Sequence, residues 1–285
     1  MLLTQLIRLC RPQQWYKNLV IFLSIIFAEK LLHLPFLYST LLGFISLSLI
    51  SSTNYIINDI IDKKKDALNP EKKNRPIAAG KVPVWLALIL AVVLATISLM
   101  IALNLSLYFM YAVIFLFIST TLYSFALKKE QFVDILAIAV NFVIRAVSGA
   151  FIINVEITPW LIVGTACLSL FLSVGKRQAE LQILGKKAIS HREVLEYYPK
   201  KVTNAVMIIS TTMLLLSYTL YSFLNNQESL LISFPFAVYV ILRYLYLVYK
   251  GSVIARHPEK AYKDKRLVIS SLLLTVSIVI ALYVI

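Results

Sequence analysis

Residues 36–80 read FLYSTLLGFISLSLISSTNYIINDIIDKKKDALNPEKKNRPIAAG. The run from Phe36 to Ile57 is too apolar for a surface helix in water, and it has the roughly 20 residues needed to cross about 30 Å of hydrocarbon. At its end the composition turns abruptly polar. Asn58, Asp62 and Asp66 recur every four residues. On an α-helix that spacing turns each side chain only about 40° past the last, so three oxygen-bearing groups line one face; Asp59 stands about 100° round from Asn58. Lys72, Lys73 and Arg75 follow. Hard cations such as Mg²⁺ take oxygen ligands and usually reach a protein through one or two carboxylates together with substrate phosphates. The stretch therefore reads as a seat for a metal-chelated diphosphate. The bland alternative is a solvated helix end whose acids pair with Lys63, Lys64 and Lys65, but ionisable groups at the mouth of a membrane helix favour the functional reading.

The rest of the chain shares this character. Of 285 residues, 60% are hydrophobic and 15% charged, and the mean hydropathy is +0.81. That is the composition of an all-α integral membrane protein. The net charge of +14 would suit a nucleic-acid binder only if the basic residues gathered on a solvated face or tail. They sit instead in short loops between apolar segments, which excludes nucleic acid as the expected partner. Cys10 and Cys167 belong to no CxxC or Cys/His cluster, so neither a disulfide nor a zinc site is expected. Arg8, Arg11 and Lys17 precede the first apolar run without a cleavage-site pattern, and the N-terminus is expected to be retained.

Nine membrane spans are expected, near residues 18–34, 36–57, 83–103, 106–127, 132–153, 159–178, 203–224, 229–249 and 267–285. Loop charge tests that count. With the N-terminus in the cytoplasm, 25 of the 28 basic residues fall inside, Lys30 falls outside, and Arg145 and Arg243 lie within spans. This obeys the positive-inside rule, and adding or dropping a span would destroy the pattern. The long loops, 58–82, 176–202 and 250–266, all fall on the inner side, and loops of that length usually serve a function. The expectation is one polytopic membrane domain over 1–285, in a bacterial plasma membrane, working at its cytoplasmic face.

Four further groups fall on that face. Residues 11–18, RPQQWYKN, hold Lys17 either as an interfacial anchor or as a phosphate ligand. Residues 123–129, YSFALKK, bring Tyr123 and Lys128, with Asp134 and Arg145 beyond them. Arg145 lies about three turns into a span, where a guanidinium must face the bundle and a partner such as an acid or a phosphate. At the end of the sixth span, Lys176, Arg177 and Glu180 can bind an anion and its metal, or can reduce to an i, i+4 pair of Lys176 with Glu180. Before the last span, Asp264 stands among Lys263, Lys265 and Arg266. Of the three histidines, His33 is expected outside, and His191 and His257 lie in loops.

The motif Asn58-Asp59-x-x-Asp62-x-x-x-Asp66 followed by Arg75-Pro76-Ile77-Ala78-Ala79-Gly80, on a nine-span scaffold, resembles the UbiA superfamily of intramembrane prenyltransferases. Ordinary members carry a second acidic motif, whereas this chain has Lys176-Arg177-x-x-Glu180. That departure, with RPxQWxKN at 11–18, YSxxLK at 123–128, Asp134 and Arg145-Ala146-x-x-Gly149, resembles the branch that contains decaprenyl-phosphate phosphoribosyltransferase. The resemblance implies transfer of phosphoribose from 5-phosphoribosyl 1-diphosphate (PRPP) to a polyprenyl phosphate. It implies Mg²⁺ on Asn58, Asp62 and Asp66, with Asp59 nearby, and phosphate binding by Lys17, Lys73, Arg75, Lys128, Lys176 and Arg177. Glu180 would complete the metal site or orient a cation, and Tyr123 would donate to the diphosphate or flank the sugar. The alternative is an ordinary prenyltransfer from a prenyl diphosphate to an aromatic or quinone-precursor acceptor. A transporter or scaffold with degenerate catalytic residues is disfavoured by the intact Asn58, Asp62 and Asp66 and by the absence of matching Gly/Pro-interrupted halves.

Overall fold

The structure, a computed structural model, describes residues 2–70, 72–184 and 198–284. Among these residues it is helical throughout, without a strand. In chain order the helices are α1 (Leu2–Cys10), α2 (Phe22–Phe27), α3 (Leu34–Ile61), α4 (Lys63–Leu68), α5 (Val84–Leu105), α6 (Leu107–Phe125), α7 (Val133–Ile153), α8 (Pro159–Leu184), α9 (Lys200–Leu224), α10 (Phe234–Tyr249), α11 (Val253–Arg256) and α12 (Lys265–Tyr283). Eight helical stretches among the described residues are long and apolar enough to cross a membrane. They coincide with the second to the ninth expected spans.

The stretch expected as the first span is built differently. A ten-residue 3₁₀ helix, Pro12–Ile21, leads into the six residues of α2, and the chain then turns at Glu29, whose φ is 55°. Such a long 3₁₀ run is uncommon, and its packing accounts for it. Three residues of 3₁₀ helix advance about 6 Å, as do four residues of α-helix. Trp15 and Asn18, three apart, accordingly meet Ser52 and Ser48, four apart on α3: the Trp15 indole donates to Ser52 Oγ at 3.1 Å and the Asn18 amide to Ser48 Oγ at 3.0 Å. Ile21 continues the same stripe into a core with Leu47, Ile50, Phe109, Val113 and Leu116.

The chain falls into two compact units. The first comprises residues 1–25, 30–125 and 144–156. Its axis is α3, which buries Ser46, Ser48, Ser51, Ser52, Thr53 and Asn54. Without water, small polar side chains let membrane helices approach and bond across the contact. Ser46 donates to the Ser98 carbonyl at 2.9 Å, and Ser98 returns the bond to Ser46 at 2.8 Å, joining α3 to α5. The second unit comprises residues 26–29, 126–143 and 157–285. Its main core gathers Ile135, Phe171, Val174, Tyr198, Met207, Tyr244 and Val248.

Candidate active site

In the first unit the acidic stretch straddles a helix break. α3 ends at Ile61, and Asp62 (φ −83°, ψ 3°) leaves helical geometry before α4 begins. The single helix expected over Asn58 to Asp66 is thus two helices. The four-residue register nevertheless survives: the Asp62 amide donates to the Asn58 carbonyl at 2.9 Å, and the Asp66 amide to the Asp62 carbonyl at 2.8 Å.

The four polar residues then divide. Asp59 and Asp66 are each only 2% exposed, and both are bound by arginines. Arg75 Nη1 donates to Asp59 Oδ1 at 3.0 Å and to Asp66 Oδ2 at 2.6 Å. Arg11 Nη2 donates to the same Asp59 oxygen. Lys72 Nζ stands 3.9 Å from Asp66 Oδ1. Asn58 and Asp62 are half-buried, and Lys73 is exposed. Buried carboxylates need such partners, because an unpaired charge out of water is costly.

Local sequence explains how Arg75 gets there. Pro76 and Ile77 are buried, Ile77 within a cluster containing Leu9, Ile56, Val82 and Ala87. Lys81 and Val82 both donate backbone bonds to the Pro76 carbonyl, at 2.9 and 3.2 Å. The turn closes at Gly80, whose φ of 70° lies in the left-handed region that glycine adopts without strain. The loop is pinned by its apolar residues, and the guanidinium is carried with it.

Arg145 is buried in α7, 6% exposed, and its Nε donates to Asn18 Oδ1 at 2.8 Å. Lys17 is half-buried, with its Nζ 5.9 Å from the centre of the Tyr16 ring. The Arg11 guanidinium lies 5.0 Å from the centre of the Tyr55 ring. Tyr123, on α6, is half-buried.

In the second unit Asp134 and Arg177 form a buried ion pair. Arg177 Nε donates to Asp134 Oδ2 at 3.1 Å, and Nη1 to Glu180 Oε2 at 3.4 Å. Asp134 is fully buried and Arg177 2% exposed. Tyr198 donates its hydroxyl to Asp134 Oδ1 and accepts from the Phe132 amide at 2.9 Å. Burial, and then the bond to Asp134, push the Tyr198 phenol above its ordinary value, so it stays protonated. Glu180 meets Arg177 at i, i+3, whereas the sequence had left open an i, i+4 pair with Lys176; Lys176 and Lys128 are half-buried. Asp264 accepts from Arg243 Nε at 3.2 Å and Nη2 at 2.7 Å, and it caps α12 by accepting from the Leu267 amide at 2.9 Å. His257 bonds Glu259 at 3.1 Å, and His191 lies outside the described residues.

Comparison with known proteins gives the chain's family. The model of the UbiA prenyltransferase family matches residues 19–257. The chain belongs to the UbiA prenyltransferase family. It is 33% identical over 286 aligned positions to decaprenyl-phosphate phosphoribosyltransferase of Mycolicibacterium smegmatis, covering 93% of this chain and 88% of that one. The Corynebacterium glutamicum protein of the same name is 30% identical, covering 98% and 87%. A solved UbiA homolog from Archaeoglobus fulgidus bound to GPP and Mg²⁺ shares the fold with a TM-score of 0.73 at 16% identity, covering 99% of this chain and 100% of that one.

Among the described residues of this UbiA-family chain, no three His, Cys, Asp or Glu side chains stand close enough to hold a metal by themselves. The donor chemistry still fits Mg²⁺, which needs only one or two protein carboxylates when substrate phosphates supply the rest. Asn58 and Asp62, half-buried beside Asp66, are such a set. Arg11, Asn18, Tyr55 and Tyr198 were not expected as site residues. For Tyr55 a signal existed, since it precedes Asp59 by four residues on one helix face. Arg11 meets Asp59 across 48 residues of sequence, a separation that leaves no local trace.

Proposed function

We propose that the chain transfers the 5-phosphoribosyl group of PRPP to a polyprenyl phosphate of decaprenyl type, releasing pyrophosphate. The observation that carries this reading is the 30–33% identity to decaprenyl-phosphate phosphoribosyltransferases over 93% or more of the chain. The acidic stretch, present once, is consistent with it. In place of a second acidic motif stand Lys176, Arg177 and Glu180. A donor with a diphosphate and a separate 5-phosphate, and an acceptor that is itself a phosphate, ask for one metal cradle and several cations.

Asn58, Asp62 and Asp66 would hold Mg²⁺, which when bound neutralises charge on the departing pyrophosphate. Asp59, shared by Arg11 and Arg75, holds both guanidiniums in place, and Arg75 and Lys73 bind diphosphate oxygens. Tyr123, Lys128 and Lys176 supply further donors to phosphate. Arg177, paired with Asp134 and Glu180, orients the inner end of α8. As the C1–O bond to pyrophosphate breaks, a lipid phosphate oxygen forms the new bond at C1. A phosphate monoester is largely ionised at pH 7, its second pKa being about 6, so this attack needs no protein base. The reaction face is cytoplasmic in this reading, where PRPP is available, and the isoprenoid lies among the apolar helices.

The test is mass spectrometry of the lipid after incubating purified protein with PRPP, Mg²⁺ and a polyprenyl phosphate, beside a parallel reaction with a prenyl diphosphate and an aromatic acceptor. A phosphoribosylated lipid in the first reaction supports the proposal. A prenylated aromatic, with no lipid product, overturns it.

A further inference from the structure

Between the 3₁₀ turn Leu127–Lys129 and the start of α7 the chain reverses at Phe132, whose φ of 61° is disfavoured for a residue with a Cβ. Phe132 is 37% exposed, so burial does not hold it there. Tyr198 contributes two contacts that do. Its hydroxyl accepts the Phe132 amide at 2.9 Å, and the two rings meet edge to face with centroids 5.5 Å apart. The same hydroxyl donates to Asp134 Oδ1, and Asp134 Oδ2 receives Arg177 Nε at 3.1 Å. Tyr198 is itself 3% exposed, just ahead of α9. One phenol thus ties together three separate pieces of the second unit: the 127–134 segment, the C-terminal part of α8 and the entry to α9. Backbone held in a sparsely populated region persists only where its surroundings over-determine it, and such places gather at working sites.

Resting on the phosphoribosyl-transfer reading, we propose that Tyr198 is a positioning residue for phosphate binding, which sets Lys128 and Lys176 where they receive the donor substrate's phosphates. Lys128 stands in the 3₁₀ turn four residues before Phe132. Two backbone bonds link that turn to the reversal: the Glu130 amide donates to the Leu127 carbonyl at 3.2 Å, and the Asp134 amide to the Glu130 carbonyl at 3.1 Å. Lys176 is the neighbour of Arg177 in α8. A lysine is a point charge on a flexible stem, so its aim depends on how firmly its backbone is held. The hydroxyl suits this junction because it is donor and acceptor at once, giving its proton to a carboxylate and a lone pair to an amide. Phenylalanine would keep the ring and lose both bonds. The reversal at Phe132 is then expected to relax toward negative φ, and both lysines to shift with their backbones.

The experiment measures binding without turnover, by isothermal titration of the detergent-solubilised full chain, below the unfolding range of every variant, with PRPP and separately with geranyl diphosphate, each with Mg²⁺. Tyr198→Phe should weaken whichever donor wild type binds by about ten-fold, the usual loss for one charged hydrogen bond. A bond that served stability alone would lower the thermal midpoint and the stoichiometry of the titration but leave Kd unchanged, and that result overturns the proposal. Phe132→Ala, at an exposed position, serves if Tyr198→Phe does not fold: it removes the ring contact and should weaken the donor about three-fold, and an unchanged Kd again overturns the proposal. Tyr198→Phe is then repeated in Lys128→Met and in Lys176→Met. A smaller loss in either background than in wild type supports action through that lysine, because effects on one shared interaction do not add. The full ten-fold loss in both backgrounds overturns it. Wild type that binds geranyl diphosphate and not PRPP would remove the parent reading while leaving Tyr198 to be judged by the same variants, and wild type that binds neither would overturn both.

Discussion

Gly149 has no room for a side chain. It sits on α7 one turn beyond Arg145, and a Cβ built there would lie 2.3 Å from the Ile21 carbonyl oxygen and 3.1 Å from both Cβ and Oγ of Ser24. An ordinary carbon-to-oxygen approach is about 3.3–3.6 Å, so Gly149→Ala must part the 3₁₀ helix from α7 by about 1 Å. The obstacle is backbone, which cannot rotate away. Overpacking of this kind costs about 1–3 kcal/mol. The 2.7 Å bond from Ser24 to the Ala146 carbonyl would stretch at the same time, adding about 1 kcal/mol. A destabilisation of about 2–4 kcal/mol is expected, read as a fall of the thermal midpoint in detergent. Lys17 and Asn18 ride on the displaced helix, and a 1 Å misplacement near the chemistry can cost about 100-fold in rate. Gly164→Ala is the control, because its nearest neighbour is Ser217 Oγ at 3.4 Å, an ordinary contact. Within a helix that change should be neutral, or stabilising by up to about 1 kcal/mol. Equal midpoints and rates for Gly149→Ala and wild type would refute the close packing of α7 against the 3₁₀ helix.

Arg75→Ala should lower the thermal midpoint, since it leaves Asp66 with only the 3.9 Å contact to Lys72 and Asp59 with Arg11; breaking one side of a buried pair costs about 3–5 kcal/mol. An unchanged midpoint would show that the two carboxylates do not depend on it. The bonded Arg243 guanidinium holds the Asp264 carboxyl below its usual range. A depressed folded pKa stabilises above the unfolded value of about 3.9, and that stability is lost as pH falls through the folded value. Asp264→Asn should therefore lose less thermal stability than wild type on acidification below about pH 4, and parallel acid limbs would contradict the pairing.

The eight long helices were legible because length and apolarity are local properties. The stretch 18–34 was not, because what sets its geometry is a match between three 3₁₀ residues and four α-helical residues, as in the pairs Trp15 with Ser52 and Asn18 with Ser48. Within the site, the four-residue repeat of Asn58, Asp62 and Asp66 was readable, while the break at Asp62 was not. The charge partners were the least legible part. Asp134 finds Arg177 across 43 residues, and Glu180 meets Arg177 at i, i+3. Sequence spacing can nominate a local pair, but burial decides which guanidinium a carboxylate receives.

The most direct test is the rate of pyrophosphate release from PRPP, with polyprenyl phosphate and Mg²⁺ present, in wild type and in Asp62→Asn. Asp62 is half-buried at the break between α3 and α4, so its amide should leave the thermal midpoint near that of wild type. Wild type should release pyrophosphate only with the divalent ion, and Asp62→Asn should be slower by about 100-fold or more, as for the loss of one strong electrostatic contact to a transition state. A folded Asp62→Asn variant that releases pyrophosphate at the wild-type rate would contradict the assignment of this carboxylate stretch to the diphosphate.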